Sequence, residues 1–491
     1  MRALVVDDSK PIRSIVSRTL RELDFECAEA SNGAEALEAL ASSGRPDLVT
    51  VNWHMPVMDG LELVRRLRRD PAHRDLPLLM ISTEHDRGRI AEAMAAGVND
   101  YLAKPFTPGS LLRKLVDLGL CAEDAIVGES RRPIRVLICD DSHTIRTLLS
   151  ATLATDNDLR IAGTAVNGQA CLDSIASDLP DIVLLDVEMP VMDGITALRE
   201  IRRRHPKLPV VMFSSLTERG AKATIEALLA GANDYVAKPA GLDPDDVAAK
   251  IRAEVITRIK ALVPRGKLAA ASARPNVGAV LPARPQPSTR RGPVQGVVIA
   301  VSTGGPTALA EVLPSCGRAS PVPILIVQHM PAVFTPQLAE RLTKLCGFPV
   351  REAADGMPIG PGDVLLAPGG RHVELAGSAA SPRVRLTDAP PENSCRPSAD
   401  VLFRSAARLW AAGALGVVLT GMGRDGLAGS RAVVEAGGGL IAQDEFSSVV
   451  WGMPGEVVRA GLADAVLPLA QVGVEVALRL KIRGGDRGHR A

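Results

Sequence analysis

The chain has 491 residues, and at roughly 100–200 residues per domain this length predicts about three domains. A hydrophobic fraction of 46%, 57 basic against 56 acidic residues, and only seven Phe, two Tyr and three Trp describe a globular protein with no sign of nucleic-acid binding. The seven cysteines form no C-x-x-C pair and no apolar run reaches the roughly 18 residues of a membrane span, so we expect a cytoplasmic protein without disulfides, a zinc site or direct membrane insertion.

Residues 1–255 contain an internal repeat. Three pairs of segments match: RALVVDDS at Arg2–Ser9 with RVLICDDS at Arg135–Ser142, MPVMDG at Met55–Gly60 with the same letters at Met189–Gly194, and NDYLAKP from Asn99 with NDYVAKP from Asn233. Each copy alternates short apolar strands with amphipathic helical stretches such as 33–41 and 61–69, which predicts a doubly wound parallel sheet with helices on both faces. The predicted strands include 3–6, 48–51 and 78–81 in the first copy and 136–139, 182–185 and 210–213 in the second.

The repeat and the composition predict the domain boundaries. We expect a first domain over residues 1–120, a polar connector over 121–132, and a second domain over 133–262 that ends in a helix over 247–262. Residues 263–293 are rich in Pro, Ala, Arg and Ser and lack an apolar period, which is typical of a flexible linker. Strand and helix patterns then predict a third, Rossmann-like α/β domain over 294–482, followed by a polar tail over 483–491. Its predicted strands are 297–301, 324–328, 364–367, 416–420 and 440–442.

Three acidic residues of the second copy lie at predicted strand ends. Asp140 and Asp141 follow the first strand, Asp186 follows the third, Ser214 ends the fourth, and Lys238 follows the last. The carboxyl ends of parallel strands meet at one edge of a sheet, and clustered carboxylates repel unless a hard cation such as Mg²⁺ is present. We therefore predict a Mg²⁺ site at the three carboxylates; a phosphoryl group received by Asp186, the acceptor that the receiver resemblance given next implies, would be neutralised by Mg²⁺ and Lys238 and could accept a hydrogen bond from Ser214. Solvated loop acids are the competing interpretation, which the recurrence of the pattern in two copies disfavours.

Both copies resemble response-regulator receiver domains. The resemblance rests on the DDS motif, the aspartate before MPVMDG and the Lys-Pro pair. It implies a flavodoxin-like fold, Mg²⁺ as the cofactor of phosphorylation, a histidine kinase as phosphodonor, and Tyr235 as the aromatic residue that responds to phosphorylation.

The first copy departs from this pattern at one position. Asn52 aligns with Asp186, whereas the other positions of the pattern are kept as Asp7, Asp8, Ser82 and Lys104. An amide is no useful nucleophile towards phosphorus and carries no charge for Mg²⁺. We therefore expect residues 1–120 to be a pseudo-receiver used for docking or dimerisation, with residual Mg²⁺ binding as the weaker alternative.

The third domain places a serine, a histidine and an aspartate after separate predicted strands. Ser302 follows the strand over 297–301 and precedes a Gly-rich turn and a helix, His329 follows 324–328, and Asp425 lies in the loop after 416–420. This is the nucleophile, base and orienting acid of acyl transfer, which needs no cofactor. The backbone N–H groups predicted to stabilise the oxyanion are those of Thr303, Gly304, Gly305 and the region of Met422.

Each of these residues also has a structural interpretation. A strand, Gly-rich turn and helix describe many phosphate-binding loops, and a lone histidine such as His329 is more often structural. Asp425 precedes Gly426 and could simply form a turn. His372, in LLAPGGRHVEL, is a competing histidine that we predict to line the substrate groove or to pack at the surface.

Taken together, the motifs resemble the CheB-type family of chemotaxis receptor methylesterases from residue 294 to about 480. The motifs are STGGP, QHMP, APGGRHVEL, RPSADVLF, LTGMGRDG and QDEFSSVVWGMP. The resemblance implies that Ser302, His329 and Asp425 are catalytic, and that the protein hydrolyses γ-glutamyl methyl esters and deamidates glutamines on chemoreceptors. Two positions depart from the family pattern: Cys395 stands where a histidine is common, and Val301 where a small residue is usual.

We therefore predict a phosphorylation-gated serine esterase that acts on methylated chemoreceptors. The unphosphorylated second receiver is expected to pack over the edge that carries Ser302, and phosphorylation of Asp186 to weaken that packing. The alternative is a non-catalytic two-receiver scaffold or phosphate sink in a histidine-kinase signalling complex. A DNA-binding response regulator is disfavoured because the chain lacks a basic recognition helix.

Overall fold

The computed structural model describes residues 1–21, 23–82, 87–104, 106, 108–121, 132–215, 217–238, 249, 251–263 and 293–481. The chain divides into two compact units, one that ends at Arg132 and one that begins at Pro133. Most of the predicted connector (121–132) and linker (263–293), and the whole of the predicted tail (483–491), lie outside the described residues. Within the described residues, none of the helices combines the length and the apolar character that a membrane span requires.

The first unit contains a five-stranded parallel sheet with strand order β2-β1-β3-β4-β5. Its elements are β1 (Arg2–Val6), α1 (Lys10–Arg21), β2 (Glu26–Ala30), α2 (Gly33–Ser43), β3 (Leu48–Val51), α3 (Gly60–Arg69), β4 (Leu78–Ser82), α4 (Arg87–Ala96), β5 (Asp100–Ala103) and α5 (Pro108–Asp117). Every residue of β3 and β4 is buried, as expected for central strands covered by helices on both faces.

The second unit begins with a sheet of the same topology, in the order β7-β6-β8-β9-β10. Its elements are β6 (Ile134–Cys139), α6 (His143–Leu153), β7 (Leu159–Ala165), α7 (Gly168–Ser177), β8 (Ile182–Asp186), α8 (Gly194–Arg204), β9 (Val210–Ser214), α9 (Glu218–Leu229) and β10 (Asp234–Ala237). The helix predicted over 247–262 is described as a π-helical turn, Arg252–Ile256, followed by α10 (Thr257–Leu262); most of its predicted start lies outside the described residues.

The third sheet has seven parallel strands in the order β13-β14-β12-β11-β17-β18-β19, beside a separate antiparallel hairpin of β15 and β16. The strands are β11 (Gly296–Val301), β12 (Ile324–Gln328), β13 (Arg351–Glu352), β14 (Val364–Leu366), β15 (His372–Ser378), β16 (Ser381–Thr387), β17 (Ala414–Val418), β18 (Gly439–Gln443) and β19 (Ala465–Leu467). The helices are α11 (Gly305–Cys316), α12 (Thr335–Cys346), α13 (Ala399–Trp410), α14 (Leu427–Glu435), α15 (Met453–Arg459) and α16 (Leu469–Lys481). The predicted fold class, three parallel α/β sheets, is confirmed.

Strand β11 lies between β12 and β17, and this register places the candidate residues. Val301 pairs with Gln328 of β12, and Ala300 pairs with Val418 of β17. Because the pairing is parallel, the residues that follow β11 and β12 leave the sheet side by side. These residues are Ser302 and His329.

The second and third sheets share one apolar core. Helix α9 packs against α11 and α12, and buried residues of all three helices belong to one hydrophobic cluster that also includes Val301. The hydroxyl of Thr307, in α11, donates to the carbonyl of Leu228 in α9 at 2.9 Å. The contact between the second receiver copy and the third sheet is therefore packed and hydrogen-bonded.

Candidate active site

Ser302 is the first residue after β11, and its backbone is fixed by both neighbouring strands. Its N–H donates to the carbonyl of Thr420 at 3.0 Å, and its carbonyl accepts from Nε2 of Gln328 at 3.0 Å. Gly304 has a φ of +76°, in the left-handed region. A Cβ on Gly305 would lie 1.9 Å from Oε1 of Gln328, so the turn requires glycine at this position as well.

His329, which is partly exposed, and the buried Asp425 form a hydrogen-bonded pair, with 2.7 Å between Nε2 and Oδ2. Burial disfavours the imidazolium, but Asp425 and the thiol of Cys395 outweigh burial and raise the pKa of His329 to about 9. Burial also opposes the Asp425 carboxylate, but hydrogen bonds from His329 and Ser398 and from the N–H of Ala399 lower the pKa of Asp425 to about 2. Asp425 is therefore ionised and accepts the Nε2–H of His329. The proton that titrates with the pKa of about 9 is the one on Nδ1, so Nδ1 acts as a base only in the neutral form of the ring.

The sequence analysis missed the groups that hold Asp425. Its carboxylate lies at the N-terminus of α13, where the N–H of Ala399 donates to Oδ2 at 2.6 Å. The hydroxyl of Ser398 donates to Oδ1 at 2.7 Å, and Nδ2 of Asn393 donates to the same oxygen at 3.0 Å. A serine directly before a helix is an N-cap pattern, so the RPSAD segment carried a usable signal. What the sequence could not show is that this hydroxyl bonds to Asp425 instead of its own helix.

His372 is completely buried and is not part of the triad. Its Nδ1 accepts from the N–H of Ser398 at 3.1 Å, which leaves Nε2 to donate to the carbonyl of Pro390, also at 3.1 Å. The prediction that His372 lines the substrate groove or packs at the surface is wrong, because both ring nitrogens are satisfied inside the protein. The ring instead fixes the backbone of Ser398, which in turn holds Asp425.

One of the N–H groups predicted to stabilise the oxyanion already donates a hydrogen bond within the protein, and the others donate none to a described residue. The N–H of Gly305 donates to the carbonyl of Ser302 at 2.8 Å and is therefore occupied. The N–H groups of Thr303, Gly304 and Met422 make no hydrogen bond to any described residue. The Ser302 hydroxyl likewise has no hydrogen-bond partner among the described residues, and catalytic bonds of this kind commonly tighten only when substrate binds.

The thiol of Cys395 lies beside the other nitrogen of His329, with 3.6 Å between Sγ and Nδ1. Ligand atoms of His329, Cys395 and Asp425 all lie within 4.8 Å of one another, a spacing that a metal ion can bridge. However, both oxygens of Asp425 already accept hydrogen bonds from the protein. The three side chains therefore fit a hydrogen-bonded chain better than a metal centre.

The carboxylates of the second receiver copy converge as predicted by its strand ends. Oxygens of Asp140, Asp141 and Asp186 lie within 4.8 Å of one another, and Nζ of Lys238 lies 2.8 Å from Asp140 and 2.7 Å from Asp186. Burial and the nearby Asp140 raise the pKa of Asp186 to about 6, although Lys238 opposes this shift. Oδ2 of Asp140 has the Lys238 ammonium as its cationic partner, so three carboxylates share one lysine. Hard oxygen donors arranged in this way fit Mg²⁺.

Of the two other residues assigned to phosphoryl sensing, only Ser214 lies at this acidic edge. It ends β9, and its carbonyl accepts from the N–H of Lys238 at 2.6 Å. Tyr235 is buried against Phe334, with 4.6 Å between the ring centroids. The preceding residue, Asp234, accepts a hydrogen bond from the hydroxyl of Thr303 at 2.7 Å. Strand β10 therefore contacts the residue after Ser302 and the segment that follows His329.

The acidic pocket of the first copy is closed by its own side chains. Nδ2 of Asn52 donates to Oδ1 of Asp8 and to the carbonyl of His54, both at 2.9 Å. The ammonium of Lys104 pairs with the buried carboxylate of Asp7. The amide and the ammonium together satisfy the two acidic side chains.

Comparison with known proteins assigns the chain to a family. The CheB methylesterase family model matches residues 297–476, and the response regulator receiver domain model matches residues 3–116 and 136–252. A protein-glutamate methylesterase/protein-glutamine glutaminase of Nocardioides sp. is 49% identical over 355 residues, which are 71% of this chain and 95% of that protein. The chain belongs to the CheB methylesterase family.

A second relative agrees with this assignment. The protein-glutamate methylesterase/protein-glutamine glutaminase of Trichodesmium erythraeum is 44% identical, covering 70% of the chain and 99% of that protein. The solved CheB methylesterase catalytic domain of Thermotoga maritima is 38% identical and covers 38% of the chain and 99% of that domain, with a TM-score of 0.37. The family models and the two relatives show a chemotaxis methylesterase in which two receiver domains precede the catalytic domain.

Proposed function

We propose that this methylesterase removes methyl groups from γ-glutamyl methyl esters of chemoreceptors, and deamidates receptor glutamines, through Ser302, His329 and Asp425. The observation that carries this proposal is the 2.7 Å hydrogen bond between His329 and Asp425 at the sheet edge where Ser302 emerges. The predicted cytoplasmic location suits a substrate on the cytoplasmic part of a receptor.

The geometry supports a two-step acyl transfer. As Ser302 Oγ attacks the ester or amide carbonyl, Nδ1 of His329 takes the serine proton, and Asp425 stabilises the resulting imidazolium through Nε2–H. The free N–H groups of Thr303, Gly304 and Met422 are the donors we assign to the tetrahedral oxyanion. His329 then returns the proton to the leaving methanol or ammonia, and water releases the glutamate by the same route.

The test is methanol release from methylated chemoreceptor membranes by the purified full-length protein. Ser302→Ala should lower turnover by roughly 10⁴-fold or more, because it removes the nucleophile. Ser315→Ala, at an exposed serine of α11, is the matched control and should retain the wild-type rate within about twofold. Equal rates for wild type and Ser302→Ala would rule out Ser302 as the nucleophile.

We further propose that phosphorylation of Asp186 by a histidine kinase relieves inhibition by the second receiver. Asp140, Asp141 and Asp186 are the residues that would hold Mg²⁺, which supplies neutralising charge for the incoming phosphoryl group. Lys238 and the Ser214 hydroxyl would then turn from their present partners towards the phosphoryl oxygens.

The contacts of β10 support this gate. Lys238 directly follows β10, and β10 also carries Asp234, bonded to Thr303, and Tyr235, packed on Phe334. A shift of β10 that follows Lys238 would loosen both contacts next to the candidate triad. We expect a small phosphodonor with Mg²⁺ to raise methanol release by the wild type and to leave Asp186→Ala at its basal rate. An equal response of both proteins would remove the gate from the proposal.

We propose that the first receiver is a pseudo-receiver that serves docking or dimerisation. This rests on Asn52, whose amide takes the place of the phosphoacceptor carboxylate and bonds to Asp8 and the His54 carbonyl. The weaker alternative, Mg²⁺ binding without phosphorylation, has only the carboxylates of Asp7 and Asp8, and Lys104 already neutralises Asp7. Labelling with a small phosphodonor tests this assignment, because label on residues 1–120 would contradict it.

A further inference from the structure

Cys395 differs from the other cysteines in lying against a basic nitrogen. Its Sγ is 3.6 Å from Nδ1 of His329, and the side chain is half-buried. Cys27 and Cys121 are also half-buried, but burial raises the pKa of both thiols, and neither has an imidazole partner among the described residues. The remaining four cysteines are buried.

A tight turn fixes the thiol in this position. Glu392 and Cys395 exchange two backbone hydrogen bonds, of 3.1 and 2.9 Å, across Asn393 and Ser394, which have φ of +52° and +62°. The carboxylate of Glu392 is held by Arg404 through two hydrogen bonds of 2.7 and 2.6 Å. The turn is therefore bonded to α13 through the contact between Glu392 and Arg404.

The middle of the turn is anchored as well. Nδ2 of Asn393 donates to Asp400 at 2.8 Å and to Asp425 at 3.0 Å. The turn that carries Cys395 thus bonds to the same carboxylate that holds His329. These bonds hold the backbone of Cys395 beside His329, and Sγ contacts both Nδ1 of His329 and the carbonyl of Asn393.

The hydrogen-bond pattern gives the thiol a proton acceptor. His329 donates through Nε2 to Asp425, so Nδ1, the nitrogen that gains and loses a proton, faces Cys395. In its neutral form, an imidazole that is oriented by a carboxylate can take up the proton of an adjacent thiol as the sulfur attacks an electrophile. The carbonyl of Asn393, 3.4 Å from Sγ, is the competing acceptor, but a carbonyl cannot take up the proton.

We propose that Cys395 is a modification site, a thiol activated by His329 that reacts with small uncharged electrophiles such as hydrogen peroxide, and that its modification blocks the esterase. With peroxide, sulfur attacks one oxygen, the O–O bond breaks, and sulfur is oxidised by two electrons to a sulfenic acid. The thiol proton passes through Nδ1 to the departing hydroxide, which leaves as water. With iodoacetamide, the S–C bond forms, iodide leaves, and the proton passes through Nδ1 to solvent.

The blocking effect rests on the proposed function. Nδ1 is the nitrogen assigned to accept the Ser302 proton, and Cys395 contacts that same nitrogen. A sulfenic acid hydroxyl or an acetamide group on Sγ would donate to Nδ1 or cover it. The base would then be occupied before substrate binds.

The first arm of the test measures reactivity and needs no esterase activity. Full-length protein is exposed to limiting iodoacetamide, and mass spectrometry follows Cys395, Cys27 and Cys121 in the same digest. We expect Cys395 to react roughly tenfold or more faster than the other two, and His329→Gln to remove this advantage. His205→Gln, a substitution in the second receiver, is the matched control and should retain it. A Cys395 rate equal to those of Cys27 and Cys121, or unchanged in His329→Gln, would overturn the inference.

The second arm measures methanol release after peroxide treatment, with each protein compared with its own untreated rate. Wild type should lose at least about tenfold and recover with dithiothreitol, as expected for reversible sulfenic acid formation. Cys395→Ala should keep most of its own untreated rate. Full oxidation of Cys395 without loss of activity would overturn the blocking effect. No methanol release from untreated wild type would instead contradict the proposed function, and the first arm would still decide whether Cys395 is activated.

Discussion

The acidic pockets of the two receivers share one scaffold and differ in how their charge is balanced. In the second, Lys238 lies between the carboxylates of Asp140 and Asp186, and Asp141 adds a third acid to the cluster. In the first, Lys104 pairs with Asp7, and the Asn52 amide donates to Asp8. The first pocket is therefore satisfied by its own side chains, whereas the second has excess negative charge.

The difference in charge balance arises where Asn52 in the first pocket replaces Asp186 of the second, because the backbone around these two residues has the same features. A Cβ on Gly60 would lie 2.1 Å from the carbonyl of Asn52, and a Cβ on Gly194 would lie 1.9 Å from that of Asp186. Both loops also hold a valine in the left-handed region, with φ of +68° at Val57 and Val191. Exchange of a carboxylate for an amide on this common frame replaces a hydrogen-bond acceptor by a donor and so removes the need for a cation.

The largest expected effect comes from giving the second pocket the side chain of the first. Asp186→Asn should lower the incorporation of label from a radiolabelled small phosphodonor by roughly hundredfold or more, because the amide is not a nucleophile. The measurement is label per chain with Mg²⁺ present, followed by peptide mapping. Asn52→Ala serves as the control and should retain wild-type labelling within about twofold. Label that persists in Asp186→Asn and maps to residues 1–120 would contradict the pseudo-receiver assignment.

The reverse exchange should create a need for cation in the first pocket. In Asn52→Asp, a carboxylate would face Asp8 and the His54 carbonyl where the amide now donates. Without divalent cations we expect a loss of about 1–3 kcal/mol in the stability of the first receiver, which Mg²⁺ should largely restore. Amide hydrogen exchange in β3 measures this stability. Equal protection of variant and wild type in EDTA would show that Asn52 does not balance the pocket.

The two pockets should also differ in their response to pH. Asp186 has a folded pKa of about 6 against an ordinary value of 3.8, so the folded protein binds a proton that the unfolded chain has released. This contribution to stability is complete below about pH 4 and is lost as pH rises through 6, on the order of 2–3 kcal/mol. Hydrogen exchange in β8 without Mg²⁺, corrected for intrinsic rates, should show the loss in wild type. If Asp186→Asn showed the same loss of stability between pH 4 and pH 6, the loss would belong to another titrating group.

The smallest expected effect concerns the backbone of the two MPVMDG loops, which hold Val57 and Val191 in the same left-handed conformation. Val57 and Val191 are exposed by 87% and 86%, and their left-handed conformation costs a β-branched residue about 1–2 kcal/mol. Val57→Gly and Val191→Gly should each stabilise their own receiver by about 0.5–1 kcal/mol after the larger unfolded-state entropy of glycine is counted. Amide hydrogen exchange in β3 measures the stability of the first receiver, and exchange in β8 measures that of the second. Opposite signs in the two receivers would show that the loops are not equivalent.

Much of this organisation could be predicted from the sequence because it is local and repeated. The matching DDS, MPVMDG and NDY segments identified both receivers, and apolar runs located central strands such as β11, β12 and β18 to within a few residues. Short edge strands escaped detection: β13 has only two residues and β19 only three, too few for a periodic pattern.

The sequence indicated the three residues of the candidate triad, but it did not indicate the residues that hold Asp425 in place. Residues that follow neighbouring parallel strands lie at one edge of a sheet, which is why the sequence predicts Ser302, His329 and Asp425 near one another, and the structure shows His329 and Asp425 in contact. The contacts made by Ser398, Asn393 and His372 depend on how the hairpin and α13 pack on the sheet. That packing is set by contacts distant in sequence, and no local pattern encodes it.

The hydrogen bond between Thr303 and Asp234 couples the esterase edge to the second receiver, and such a coupling is reciprocal. If phosphorylation weakens it and thereby opens the esterase edge, then a methylated receptor segment that occupies the edge and displaces Thr303 must favour the phosphorylated receiver by the same free energy. Substrate would then act as an effector of the receiver, and the protein would hold its phosphoryl group best where unprocessed esters are most abundant.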